Sequence, residues 1–429
     1  MSISHKIWVW LVVLLACNTV DAGEPNGRIL TLDEAVEFAL NNNAALQAAR
    51  AGLAASGYRL RKSRLDLLPK ADLQVSYARL DPGTVRRGNV FVDVGRELVK
   101  NFGAGDPADI RPGAYANNFA TTLQVVQPIY NGGANWATVG LARAQQAGSE
   151  HVLEDTRQRV ILEVKRRYLQ TLQARELVAL ANKSLESSQH HLASSRKMLE
   201  VGLRSRTDVL RWEVQVANSE GQLVEAENNV VIALAALKQV VGMPYEQELS
   251  VSSLPFEPVP LREGLEAQIA RTQAHHPGLK AALASVDAGR AGVRLAWAAF
   301  QPQVNFVYQV GWEQNNTFAL DSFRFWNAGV SVKIPIFHSF SSLAQLQERK
   351  AELRRIEENR KESERLVTLE LIRARSNVET ANKKYHIALK TVEQARENLR
   401  VLDNTYEAGL AANIDVLDAQ VVLTRAETQ

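Results

Sequence analysis

Two periodicities divide this chain. The first has a period of two. Val304, Phe306, Tyr308, Val310 and Trp312 are large and apolar, with Gln303, Asn305, Val307, Gln309 and Gly311 between them. Trp326, Ala328, Val330, Val332 and Ile334 alternate in the same way with Phe325, Asn327, Gly329, Ser331 and Lys333. Earlier, Leu73, Val75 and Tyr77 alternate with Asp72, Gln74 and Ser76, and residues 119–127 form a noisier strand. Such alternation puts one residue set on each face of a sheet. Runs of about ten residues match a tilted membrane strand. A half-buried soluble sheet would alternate too. Tyr77, Tyr130, Trp312, Trp326 and Phe337 lie near strand ends, where an interfacial aromatic girdle would place them, although aromatics are also common in ordinary strands.

The second periodicity is helical. Ile161, Val164, Tyr168 and Leu172 recur at steps of three and four. So do Leu223, Ala226, Val230, Leu234, Leu237 and Val241, and again Leu389, Val392, Ala395, Leu399 and Leu402. Residues 149–201 and 341–408 contain neither Gly nor Pro. Helices of this length with narrow apolar stripes imply coiled-coil-like packing. At 1.5 Å per residue, residues 138–200 would reach roughly 95 Å. Val201-Gly202-Leu203 and Ala408-Gly409-Leu410 end the long helices, since glycine accepts the left-handed closing conformation. Asp208 and Asp415 follow, placed to cap the returning helices. The capping-box spacing Thr31-Leu32-Asp33-Glu34 opens a first helix, expected to run to about residue 68, before Pro69. Residues 81–118, polar and rich in Gly and Pro, read as a long mobile loop.

The elements occur twice. Leu46-Gln47-Ala48-Ala49 stands beside Leu279-Lys280-Ala281-Ala282, and Pro69 beside Pro302, each 233 residues apart. Pro128-Ile129-Tyr130 stands beside Pro335-Ile336-Phe337, 207 residues apart. That offset persists in Val160-Ile161-Leu162-Glu163 with Val367-Thr368-Leu369-Glu370, and in Asp208-Val209-Leu210 with Asp415-Val416-Leu417. The difference of 26 residues falls between Pro69 and Pro128, giving the first copy a longer loop. Each copy reads helix, strand, loop, strand, long helix, tight turn, helix. The expected division is 23–242 for the first copy, a proline-bearing linker at 243–262, and 263–429 for the second. The first returning helix continues to about Val241. The same offset would carry the second past Gln429, so the final helix is expected to lack its last turns.

Bulk properties narrow the function. The chain has 429 residues, 46% hydrophobic, with a formal charge of +3, which gives no reason to propose nucleic acid. The single cysteine, Cys17, excludes a disulfide framework and a cysteine metal cluster. Lys6 precedes an apolar run at 7–16, too short to span a bilayer, which marks an export signal. Val20-Asp21-Ala22 fits a cleavage site that ends a signal peptide at residue 22. Leu14-Leu15-Ala16-Cys17 fits a lipobox, which would end the signal at 16 and lipidate Cys17. Both readings stay open. No later run offers about 18 apolar residues, so no membrane helix is expected. No HExxH, GxSxG, P-loop or Cys/His cluster occurs, and no cofactor is expected. His190-His191 and His275-His276 read as solvated. Four membrane strands cannot close a barrel, and open edges in lipid leave backbone groups unsatisfied, so the chain must pair with copies of itself.

The order of elements, the doubled unit and the Gly-Leu…Asp-Val-Leu hairpins resemble the TolC outer-membrane factor family over about residues 30–429. The resemblance implies a mainly α protein with membrane β. Its duplicated helix-strand-strand-helix unit would build a trimeric 12-stranded β-barrel, continuous with a periplasmic α-helical coiled-coil tunnel. It further implies a location in the outer membrane and its lipid, a periplasmic adaptor docked at the tips, and an inner-membrane RND, ABC or MFS pump. Val201, Gly202 and Leu203 match the adaptor-contacting tip, as do Ala408, Gly409 and Leu410 with Ala in place of Val. Asp415 and Asp418 match a pair that rings the periplasmic entrance. Asp208 and Tyr406 match residues that link neighbouring hairpins in a closed state. An Arg common in that family falls at Ala411. Independently, Asp415 and Asp418 share a helix face, and rings of Asp favour cations. A plain helix cap at Asp415 and a solvated charge at Asp418 would also explain them, since Asp208 plays the same cap role with Arg211 in the second place. The alternative function is a periplasmic adaptor or coiled-coil scaffold, which would carry one hairpin between soluble β-domains.

Overall fold

The computed structural model describes residues 28–429 apart from 104, 111–112, 256–257, 259, 262, 316–323, 338–339 and 409. The export signal and Cys17 lie outside the described residues, as does Gly409. In chain order the elements are β1 (Arg28–Leu30), α1 (Leu32–Asn42), α2 (Ala44–Leu65), β2 (Lys70–Arg79), α3 (Pro82–Phe102), β3 (Asn117–Asn131), α4 (Ala134–Glu200) and α5 (Arg206–Val241). They continue with β4 (Leu249–Val251), α6 (Leu265–His275), α7 (Pro277–Trp297), β5 (Gln303–Asn315), β6 (Arg324–Lys333), α8 (Ser341–Glu407) and α9 (Asn413–Thr428). Two compact units result: residues 1–39 with 163–255, and residues 40–162 with 256–429. Compactness therefore divides the chain differently from sequence repetition.

In the first unit the C-terminal part of α4 and α5 form a hairpin. Val164, Tyr168, Thr171, Ser188 and Ser195 of α4 are wholly buried, as are Trp212, Ser219, Leu237 and Val241 of α5. Val164, Tyr168 and Thr171 step by four and three, Leu237 and Val241 by four, and Ser188–Ser195 and Trp212–Ser219 by seven, the spacing of a coiled-coil seam. Small hydroxyl residues replace large apolar ones in part of it, so Ser188 Oγ meets Ser219 Oγ at 3.2 Å. At 243–262, read from sequence as a plain linker, β4 pairs in parallel with β1, Leu30 opposite Val251. Three-residue strands are too short to show a period. The buried Tyr168 hydroxyl holds them, 3.0 Å from the Leu30 carbonyl and 2.8 Å from that of Ser252.

In the second unit four strands form one antiparallel sheet in the order β2-β3-β5-β6. The doubled pattern is visible in the backbone. Lys70 pairs with Val126 and Gln303 with Lys333, the same register in each copy. α4 and α8 are each 67 residues long and start 207 residues apart. β3 alone runs on to Asn131, because as an inner strand it keeps β5 as a partner after β2 has ended.

Two further sequence expectations about elements need correction. The first helix does not run unbroken to residue 68. It stops at Asn42 and restarts at Ala44, and Asn43 caps the new start by accepting from Ala45 N at 2.9 Å and Leu46 N at 3.2 Å. The second copy breaks 233 residues later at His276, whose Nδ1 accepts from Gly278 N at 3.1 Å, ahead of Pro277. The other correction concerns 81–118, which is not a plain loop. It contains the 21-residue α3, capped by Asp81, started by Pro82 and closed by Gly103 at φ 64°. Of the Gly and Pro read as loop signals, Pro82 and Gly103 mark the helix's start and stop, while Gly88 and Gly95 lie within it.

Candidate functional site

The register of the sheet sorts its side chains into two faces. Leu73, Leu123, Val310 and Trp326 lie opposite one another across all four strands. The next rows on that face are Ala71, Val125, Tyr308 and Ala328, then Val75, Thr121, Trp312 and Arg324. On the opposite face Asp72, Gln124, Gln309 and Asn327 form one continuous polar row. Asn327 Nδ2 donates to Gln309 Oε1 across it at 3.4 Å. The apolar face is not covered by the chain, for Leu73 is 67% exposed, Trp326 69% and Val330 61%. A soluble sheet would bury that face. The outer edges of β2 and β6 meet no strand among the described residues. The alternation within β2, β5 and β6 was legible from sequence, and β3 was only a noisier stretch. The polar row was not, because it appears only once the register is known.

Below the strands, α8 buries only Leu346, Ala395 and Tyr406 among its described side chains. Leu366, Leu369, Ile372 and Ile387 stay exposed along one side of it. A helix roughly 100 Å long at 1.5 Å per residue therefore carries an exposed apolar stripe on the side away from its packed residues. Its ion pairs are solvated. Arg355 holds the Glu352 carboxyl below the usual range by a side-chain hydrogen bond, as Arg400 does Glu397, and such pairs contribute little to stability.

The hairpin tips are built from caps. Gly202 takes φ 78°, with Gly202 N bonded to Leu199 O at 3.0 Å and Leu203 N to Met198 O at 2.9 Å. These two bonds are a Schellman closure. The Leu410 N to Thr405 O bond of 2.9 Å repeats the longer of the two in the second hairpin. Val201, Leu203 and Leu410 are strongly exposed at these turns, and Ala408 is the exposed C-cap of α8.

Asp208 forms a capping box with Ser205, whose hydroxyl donates to Asp208 Oδ2 at 2.8 Å while Asp208 N donates to Ser205 Oγ at 3.3 Å. Asp415 keeps half of this arrangement. It accepts from Ala412 N at 3.3 Å, and Ala412 has no hydroxyl to return the bond. Asp415 and Asp418 are both exposed on α9. Tyr406 is wholly buried and presents no ring to an incoming partner.

One residue departs from the sequence reading. His191 is buried rather than solvated, and its ring stacks on Trp212 with centroids 4.6 Å apart and planes at 17°. The signal was present: Ser184, Ser188, His191 and Ser195 continue the seam at steps of four, three and four. A purely apolar template passes over such a stripe.

The sequence model of outer membrane efflux proteins matches residues 35–243 and 269–429. The chain belongs to the outer membrane efflux protein family. Among its relatives, Protein CyaE of Bordetella pertussis is 25% identical over 312 residues, covering 72% of this chain and 65% of that protein. Outer membrane protein TolC of Vibrio cholerae is 23% identical, covering 67% of this chain and 66% of its own length. The chain thus spans just under two thirds of both. Alkaline protease secretion protein AprF of Pseudomonas aeruginosa is 24% identical and covers 98% of this chain and 84% of its own. The fold is shared with solved structures. CusC superposes with a TM-score of 0.78 at 17% identity, covering 94% of this chain and 88% of that one. The Campylobacter jejuni CmeC outer membrane channel gives 0.77 at 19%, covering 92% and 81%.

Proposed function

We propose that this efflux-family chain is the outer-membrane channel of a tripartite efflux pump or type I secretion system. The observation that carries the reading is the sheet with one apolar and one polar face, both uncovered, and two outer edges without a partner. In lipid such edges must be closed. Three copies of a four-stranded sheet close a twelve-stranded barrel, with Leu73, Val310 and Trp326 toward lipid and Gln124, Gln309 and Asn327 toward the lumen. The exposed apolar stripe of α8 supports the same ring, continued as a helical tunnel in the periplasm.

In this reading the chain conducts and does not catalyse. An inner-membrane pump of the RND, ABC or MFS class delivers substrate through a periplasmic adaptor. The adaptor docks on the exposed tips at Val201, Gly202, Leu203, Ala408, Gly409 and Leu410. Asp208, Asp415 and Asp418 belong to the periplasmic gate, where the exposed pair Asp415 and Asp418 favours cations, and the buried Tyr406 serves it from inside the second hairpin. Lipidation at Cys17 would add an anchor. The two-copy division at 23–242 and 263–429 is part of the same reading, since paired hairpins let three chains line the tunnel evenly.

Deleting the chain from its host should impair export of a toxic compound or a polypeptide. Growth in the presence of drugs, metals and detergents, together with a profile of secreted proteins, measures this. Unchanged sensitivity with normal secretion would count against the channel.

A further inference from the structure

α3 and its return form a projection from the ends of β2 and β3. The return runs antiparallel to the helix. Leu80 N bonds to Ala116 O at 2.8 Å at its base, Asn89 Nδ2 to Ala114 O at 3.0 Å midway, and Arg96 Nε to Ile110 O at 3.0 Å further out. Asn89 also accepts from Ala114 N at 2.8 Å. The face of α3 carrying Val85, Asn89, Val92, Arg96 and Val99 is thus occupied by the chain itself.

A second stripe is left over. Phe91 is 89% exposed, Val94 53%, Leu98 52% and Phe102 78%. Their steps of three, four and four bring them onto one line of the helix.

We propose that this stripe is covered by the α3 helices of neighbouring copies, forming a helical bundle that constricts the outer mouth of the pore. The proposal rests on the channel reading. Three features select a second copy over a lipid surface. The stripe is narrow, with coiled-coil spacing, rather than the broad face of an interfacial helix. The side away from the stripe balances Arg86 and Lys100 with Asp93 and Glu97, the exposed Arg87 standing instead at the stripe's N-terminal end, so that side lacks the cation excess that draws a helix to anionic headgroups. Finally, α3 follows directly from β2, an edge strand whose free side must pair with another copy in a closed barrel. Pairing there tethers the α3 helices of adjacent copies near one another at high effective concentration.

Cysteine cross-linking tests this in the full chain, assembled in outer membranes. Leu98→Cys lies on the stripe, and Lys100→Cys lies on the polar side and reports the background of random collisional cross-linking. A disulfide needs Cα atoms within about 7 Å, so after oxidation Leu98→Cys should yield covalent chain dimers about tenfold above Lys100→Cys. Val94→Cys, one turn earlier, should repeat the result. Trimeric particles in which Leu98→Cys and Val94→Cys stay no more cross-linked than Lys100→Cys would overturn the bundle and leave the channel reading standing. So would stripe cysteines that stay reduced and react with a lipid-borne thiol reagent, which would place the stripe against lipid. Particles of one chain would overturn the channel reading, and the bundle with it.

Discussion

At Gly202 the backbone stands at φ 78°, and nothing lies within 4 Å of where a Cβ would be. A side chain there meets strain, not collision. Left-handed backbone costs an ordinary residue roughly 1–2 kcal/mol, and Asn tolerates it better. Gly202→Val should therefore loosen the first tip and weaken adaptor cross-linking, and Gly202→Asn should retain most of it. Equal cross-linking by both variants and the native chain would remove the tip from the docking surface. Trp212, wholly buried and stacked on His191, sets the interior of the same hairpin. Trp212→Ala should cost about 3–5 kcal/mol, read as a lower unfolding midpoint of the hairpin, and an unchanged midpoint would contradict its place in the seam. At this scale the sequence was legible where a residue acts on its immediate neighbours. The Thr31–Glu34 capping box forms as spaced, with Thr31 N to Glu34 Oε2 at 2.8 Å. It was not legible for His191, whose burial depends on a helix met only after the chain turns at Gly202. Asn43 and His276 lie between the two, because their caps interrupt helices whose apolar patterns run on past them.

Elements show the same division. β2, β5 and β6 were readable because each alternates by itself, β3 less so, and the long helices because nothing in them breaks the pattern. α3 was not, since Pro82 and Gly103 resemble loop residues until their positions at its two ends are known. Its start is pH-sensitive. Hydrogen bonds from Thr84 hold the Asp81 carboxyl below its ordinary 3.8. A lowered carboxylate stabilises the fold above its unfolded value, and that contribution is lost as pH falls through the folded one. The cap is therefore intact at neutral pH and should release below 3.8. Acid-stable protease digestion of the assembled protein should cut near α3 more readily as pH drops through this window, and Asp81→Asn should flatten the dependence. A rise in cutting that Asp81→Asn leaves unchanged would place the sensitivity elsewhere.

The sheet offers a sharper comparison. Val330 lies on the apolar face and Asn327 on the polar one. A lysine facing lipid at mid-depth costs about 2–4 kcal/mol. Val330→Lys should lower the yield of assembled protein, whereas Asn327→Lys should assemble and shift ion selectivity toward anions. The reverse pattern, scored by heat-resistant oligomer on gels, would mean that the faces are exchanged.

For the whole molecule, sequence repetition and backbone repetition agree in register. The strand pairs β2–β3 and β5–β6 align at equivalent residues, and the two long helices have the same length. The outward surfaces follow from that duplication. Each copy contributes two strands and one long hairpin, and neither copy covers the apolar face of the sheet or the stripe on α8. These surfaces were only half readable beforehand. The sequence showed too few strands to close a barrel, but not which faces would stand bare. Helix–helix and strand–strand closure by identical neighbours satisfies all of them at once.

The most direct test is the mass of the particle released from outer membranes in mild detergent. Closure of the sheet edges calls for three chains in one particle. A monodisperse single chain, stable in water once the detergent is withdrawn, would contradict it.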